Sequence, residues 1–140
     1  MSEPAALDRR QMRRSFERAA STYDRAAVLQ REIAARALER LDLVQLDPGA
    51  IVDAGCGTGF AARALHQRYP RATLIELDIA PAMLHAARAR RPRWKKWLGG
   101  TREVFVCGDN AQLPIRSGSV DMVWSNLAFQ WAHDLPAVFA

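Results

Sequence analysis

Alternate glycines in Gly55-Cys56-Gly57-Thr58-Gly59 restrict what this chain can become more than any other stretch. Glycine gives up more backbone freedom on folding than any other residue, so such a cluster needs a physical reason. The run before it, Ala50-Ile51-Val52-Asp53, reads as a short apolar strand, and Phe60 to Tyr69 reads as a helix stopped by Pro70. A glycine loop between strand and helix is where backbone approaches a ligand closely. The dinucleotide fingerprint, G-x-G-x-x-G, sets its third glycine one residue later than here. Asp53 stands two residues ahead of the first glycine. A carboxylate there repels a pyrophosphate and attracts an ammonium group. The loop therefore suits a nucleoside carrying a cationic amino-acid tail.

The rest of the chain supplies the frame. Residues 8–20, with Met12 and Phe16 four apart, read as a short amphipathic helix, and Ser21-Thr22-Tyr23-Asp24 as a break. Leu29, Ile33, Ala37 and Leu41 predict a helix ending before Leu46-Asp47-Pro48-Gly49. Past the glycine loop, Thr73 to Leu77 is a second strand with Asp78 at its end, and Pro81 opens a helix that runs to Arg91. Glu103 to Cys107 is a third strand and Val120 to Ser125 a fourth, followed by Leu127 to Trp131 and a helix from about Asp134. Strands alternating with helices predict an α/β fold with a doubly wound parallel sheet behind N-terminal helices. The expected division is a helical segment, 1–46, and the first part of a ligand-binding domain, 47–140. Because the helix after the fourth strand stops at Phe139-Ala140, that strand lacks its expected neighbour, and the reading is of the N-terminal part of a larger domain.

Composition removes other classes. A length of 140 residues fits one domain, and 49% hydrophobic with 25% charged residues is a globular balance. No apolar stretch reaches the ~18 residues of a membrane helix. The N-terminus shows no secretory pattern, and Cys56 and Cys107 form neither a disulfide framework nor a metal-ligand spacing, so a reducing cytoplasm is the expected compartment. The net charge of +5 comes from one run, Arg88, Arg90, Arg91, Arg93, Lys95, Lys96 and Arg102; without it the chain is net acidic. That run reads as a solvated helix end and loop, or as a docking patch for an acidic partner. Trp94 and Trp97 within it read as loop residues or apolar anchors.

Further candidate ligand groups stand at strand ends, the edge where open α/β sheets bind ligands. Asp78 can accept from both hydroxyls of a ribose, or can cap the helix that Pro81 begins. Asp109-Asn110 can accept from an adenine amino group, or can be a turn beside Gly108. His66, His85 and His133 are scattered and read as surface or capping residues. No spacing offers a metal site or a nucleophile–base pair.

These segments resemble, in order, the four motifs of the Rossmann-like S-adenosylmethionine-dependent methyltransferases: Ile51 to Gly59, Leu77 to Leu84, Gly108 to Pro114, and Val120-Asp121-Met122-Val123-Trp124-Ser125-Asn126. A narrower resemblance, to the malonyl-acyl carrier protein O-methyltransferases of biotin synthesis, rests on Ser15-Phe16-Glu17-Arg18-Ala19-Ala20-Ser21-Thr22-Tyr23-Asp24 and on Ser125-Asn126-Leu127-Ala128-Phe129-Gln130-Trp131. It implies that Gly55, Gly57 and Gly59 line the methionine and ribose part of S-adenosylmethionine and that Asp53 orients its amino group. Asp78 would hold the ribose, Ile79 pack on the adenine, and Asp109 and Asn110 read the adenine edge. Ser125 and Asn126 would sit nearest the methyl group, with Tyr23 covering the cofactor from an N-terminal lid.

The implied acceptor is malonyl-acyl carrier protein or malonyl-CoA, with Arg88–Arg102 as the candidate docking patch. Its carboxylate is ionised at neutral pH, so proximity alone suffices and no catalytic residue is expected. Glu76 departs from the family pattern and either flanks the adenosine or marks an accessible strand end. No motif position supplies an arginine for the acceptor's carboxylate. Three other readings stay open: a methyltransferase for another small acid or a quinone precursor, a binding module that contacts single-stranded nucleic acid through Arg90 to Trp97, and an inactive remnant that folds only with a partner.

Overall fold

The computed structural model describes residues 8–91, 102–132 and 134–138. Three helices come first: α1 (Arg9–Ala19), α2 (Tyr23–Ala26) and α3 (Val28–Arg40), the last tightening into a 3-10 turn at Leu41–Leu43. Asp8 caps α1, its Oδ1 accepting from the Arg10 and Gln11 amides. The alternating part follows as β1 (Ala50–Ala54), α4 (Ala62–Arg68), β2 (Thr73–Asp78), α5 (Pro81–Ala89), β3 (Glu103–Cys107), β4 (Met122–Trp124), a 3-10 turn at Phe129–Trp131 and α6 (Leu135–Val138).

The four strands form one sheet in the order β3-β2-β1-β4, every pair parallel. The doubly wound expectation holds. The chain builds outward from β1 through β2 to β3, then returns to place β4 on the other side of β1. That reversal opens a crevice beyond the carboxyl ends of β1 and β4. Asp121 anchors the return, its carboxylate accepting from the Gly49 and Ala50 amides at 2.8 and 2.9 Å. No helix among the described residues is long and apolar enough to cross a membrane.

Strand alternation splits the core in two. Ile51 and Leu74 face a cluster with Leu41, Ala61, Ala62, Leu65, Tyr69 and Trp124. Val52, Ala54 and Leu77 face the other way, against Ile75, Val106, Leu113, Ile115, Val120 and Phe129. Because Leu41 belongs to the first cluster and Ala37 and Leu38 pack on it, α3 shares its core with the sheet. Of the 1–46 segment, α1 and α2 contribute residues to the wall of the crevice.

The helix foreseen through Leu29, Ile33, Ala37 and Leu41 forms as α3, with Leu41 in the 3-10 turn that closes it. Ala34 and Leu41 are buried and Ala37 packs on the core, while Leu29, at the start of the helix, is 65% exposed. One expectation fails here. His66 is neither a surface nor a capping residue. It is buried on α4, its Nε2 2.6 Å from Glu103 Oε1. His133 lies outside the described residues.

Candidate cofactor-binding site

The crevice is an open cleft of about 870 Å3, solvent at its mouth included. Its floor comes from the loops that leave the strands: Gly55 and Gly57 after β1, Asp78 and Ile79 around the end of β2, Asp109 and Asn110 after β3, and Asn126 after β4. Arg9, Met12 and Phe16 of α1 and Tyr23 of α2 contribute from the N-terminal side.

Hydrogen bonds to the end of β2 fix the glycine loop. The Gly55 and Cys56 amides both donate to the Leu77 carbonyl, at 2.8 and 2.9 Å, and the Gly57 amide donates to Asp78 Oδ2 at 2.9 Å. Gly55 and Gly57 hold φ values of 77° and 55°, where a side chain is strained. A Cβ on Gly55 would stand 2.3 Å from Ala128 Cβ, whereas one on Gly57 would meet nothing nearer than the Tyr23 ring at 3.8 Å.

Gly59 behaves differently. Its Cβ would strike Glu76 Oε2 at 2.7 Å and Ala87 Cβ at 3.0 Å, and it is absent from the cleft wall. This glycine makes room for α5 against β2 behind the loop.

The carboxylates are held in distinct ways. Asp78 Oδ1 accepts from the Ala80 amide at 2.9 Å, so Asp78 shapes the turn into α5 while its other oxygen steadies Gly57. Burial raises its pKa, and the amides of Ala80, Gly57 and Ile79 pull the other way. Two backbone bonds leave capacity for a diol, since a carboxylate offers about four acceptor positions.

Asp53 is 3% exposed and is the register partner of Glu76. Burial first, then Glu76 and Asp78, push its pKa well above the ordinary value, with Arg91 opposing. It lines a smaller adjoining cleft that shares Tyr23, Gln30, Gly55, Gly57 and Asn126 with the main one. Asp109 Oδ1 accepts from the Ala111 amide at 2.8 Å, and its Oδ2 pairs with Arg9 at 2.7 Å. Asn110 Oδ1 is a buried acceptor with no hydrogen-bond partner among the described residues.

After β4, Ser125 does not line the cleft. Its hydroxyl donates to the Ala54 carbonyl at 2.8 Å and ties β4 to β1. Asn126 does line it, with Nδ2 donating to the Gln30 carbonyl of α3 at 2.8 Å. Leu127 beside it has φ 56°, a costly value for a branched-chain residue, in the wall of the cleft. Leu127 falls inside the Ser125–Trp131 resemblance without an assigned role, and no sequence signal marks Arg9.

Tyr23 belongs to an aromatic group, with Phe16–Tyr23 centroids 6.3 Å apart and Phe16–Trp131 centroids 6.1 Å apart, both edge to face. Thr58 Oγ1 donates to Asp24 Oδ1 at 2.6 Å, and Arg90 pairs with the other Asp24 oxygen, so α2 is fastened to the glycine loop.

Glu76 neither flanks the cleft nor marks an accessible strand end. It is fully buried and paired with Arg91, whose Nε lies 2.9 Å from Glu103 Oε1. The chain Glu76–Arg91–Glu103–His66 is a buried charge network under the loop. With Arg90 and Arg91 both turned to acids, the expected Arg88–Arg102 docking patch and the Arg90–Trp97 nucleic-acid surface each lose two arginines. Residues 92–101, with Arg93, Trp94, Lys95, Lys96 and Trp97, lie outside the described residues.

A parallel sheet with carboxylates and close-packed glycines gathered at its switch point defines the nucleotide-binding doubly wound class. A family model described as "Methyltransferase domain" matches residues 52–140, and the chain belongs to that family. It is 50% identical over 133 residues to the malonyl-[acyl-carrier protein] O-methyltransferase of Gallionella capsiferriformans (strain ES-2), across 95% of this chain and 46% of that protein.

Two solved structures extend the comparison. One is a chain of the complex between the Haloferax volcanii Trm112 methyltransferase activator and a methyltransferase: TM-score 0.71, 30% identity, 88% of this chain and 51% of that one. The other is an S-adenosylmethionine dependent methyltransferase from Mesorhizobium loti: TM-score 0.59, 29% identity, 74% of this chain and 43% of that one. The chain spans about half the length of the curated relatives it matches.

Proposed function

We propose that this chain binds S-adenosylmethionine in the cleft and serves O-methylation of the free carboxylate of malonyl-acyl carrier protein, in the cytoplasm and in biotin synthesis. The observation that carries the reading is the 50% identity, over 133 residues, to a curated enzyme of that activity. The cleft fits the cofactor on its own terms. Gly57 leaves open space where a side chain would intrude, Asn110 Oδ1 is an acceptor awaiting a donor, and the buried Asp53 has no counter-charge bonded to it among the described residues.

In this reading Asp53 attracts the amino group and Asp78 accepts from the ribose hydroxyls. Ile79 covers one face of the adenine, and Asp109 and Asn110 read its edge. When bound, the sulfonium cofactor supplies an electrophilic methyl group, which a carboxylate oxygen accepts while sulfur keeps the bonding pair. No proton moves, so the chain's task is alignment and exclusion of water. Tyr23, Phe16 and Trp131 provide an apolar wall for this, and Asn126, like Tyr23, lines both the main cleft and the adjoining one.

The test is transfer of labelled methyl from S-adenosylmethionine to malonyl-loaded carrier protein. The expected product is a base-labile methyl ester on the malonyl group. Label in any other linkage, or on a different small acid with the malonyl thioester untouched, contradicts the acceptor assignment.

A further inference from the structure

The docking patch foreseen at Arg88–Arg102 is partly internal, yet the molecule does present free basic charge beside the cleft. It sits on α1. Arg9, Arg10, Arg13, Arg14 and Arg18 fall within this single helix against one acid, Glu17, and none of its residues is buried. Arg9 and Arg13 are engaged with Asp109 and Glu17. Arg10 and Arg14 are exposed, with no ion pair among the described residues.

A second groove runs along the same helix. Gln11, Met12, Ser15 and Phe16 line it from α1, with Tyr23 and Trp131 opposite. Met12, Phe16, Tyr23 and Trp131 also line the cofactor cleft, so the groove and the cleft are continuous. At about 100° per residue, Met12, Ser15, Phe16 and Ala19 form one stripe, with Arg9 and Arg13 beside it on one flank and Arg18 on the other, while Arg10 and Arg14 add charge from the far side of the same helix. An apolar channel bordered by cations thus leads from the outer surface to the cleft.

Resting on the reading above, we infer that α1 is the docking surface for an acidic carrier domain whose thioester-bearing arm lies in the groove between α1 and Trp131. The chemistry of such an arm matches the channel. Its amides meet polar Gln11 and Ser15 at the rim, and its branched hydrocarbon meets Met12 and Phe16. The arginines steer the carrier's acidic helices toward the mouth, an effect that salt screens.

Titration of fluorescently labelled, malonyl-loaded acyl carrier protein with the chain tests this, alongside R10E/R14E, F16A and R88E variants. S-adenosylhomocysteine affinity and far-UV circular dichroism are read on each. R10E/R14E should weaken carrier binding by about tenfold at low salt and flatten its salt dependence, while leaving S-adenosylhomocysteine affinity unchanged. F16A should weaken carrier binding at every salt concentration, and R88E, an exposed arginine of the other patch, should leave it unaltered. Carrier binding that ignores R10E/R14E, or that responds to R88E instead, overturns the assignment. So does a chain that binds S-adenosylhomocysteine but no carrier, with the cofactor reading intact; failure to bind S-adenosylhomocysteine strikes the reading beneath it.

Discussion

At the scale of single residues, the cleft sets function against stability at Asp53. Its carboxylate is buried beside Glu76 and Asp78, and burial with those two charges raises its pKa well above the ordinary value. A carboxyl whose folded pKa exceeds its unfolded value contributes stability that is full below the unfolded value, about 3.9, and that is lost as pH rises through the folded one. Asp53→Asn removes that loss. The variant should unfold with about 1 kcal/mol more stability near pH 8 and with a flatter pH dependence, yet bind S-adenosylhomocysteine several-fold more weakly. Thermal melts across pH, with and without the ligand, read both effects.

Asp53 was legible because its distance from Gly55 is a sequence fact, and Asp78 because it ends a strand. Spacing reveals that Gly59 is required, but not that Glu76 and Ala87 crowd it from behind the loop. Ser125 shares a motif with Asn126, and only the backbone shows that its hydroxyl is spent on Ala54.

At the scale of elements, the helices are locked to the sheet by charge as well as by apolar packing. Arg91, just past α5, meets Glu76 of β2 and Glu103 of β3, and Glu103 holds His66 of α4. Arg91→Met leaves Glu76 buried without its cation and should cost about 3–5 kcal/mol, whereas the Glu76→Gln/Arg91→Met pair should recover most of that loss. Chemical denaturation of the three proteins makes the comparison.

The network also carries an acid signature. Burial pushes the Glu103 carboxyl up, but the His66 hydrogen bond and Arg91 outweigh it and hold the pKa below the ordinary value. Its contribution is therefore present above the unfolded glutamate value, about 4.3, and fades as pH falls through the folded one. In the sequence Glu76 was visible only as an oddity. Its partner stands 15 positions away, and nothing in a linear pattern marks two charges that will meet inside. The strand and helix order was readable because period-2 and period-3.6 patterns alternate cleanly between glycine and proline breaks. The buried face of α3 was not, since alanines rather than large residues carry it.

At the scale of the molecule, the order β3-β2-β1-β4 explains why residues from four loops converge. Strands on both sides of β1 send their carboxyl ends to one edge, and the reversal keeps that edge open. Sequence motifs in the right order foretold this convergence. They did not foretell the α1 groove, because it joins Met12 and Phe16 to Trp131 across more than a hundred residues.

The account stands on the claim that this edge holds a cationic nucleoside cofactor through Asp78. Calorimetric titration of S-adenosylhomocysteine into the parent chain and into Asp78→Asn, with circular dichroism to verify folding, addresses it directly. The account predicts one site per chain, an affinity loss of about tenfold or more in the folded variant, and no heat from NADH. Equal affinity in a folded Asp78→Asn protein, or NADH competing for the cleft, would contradict it.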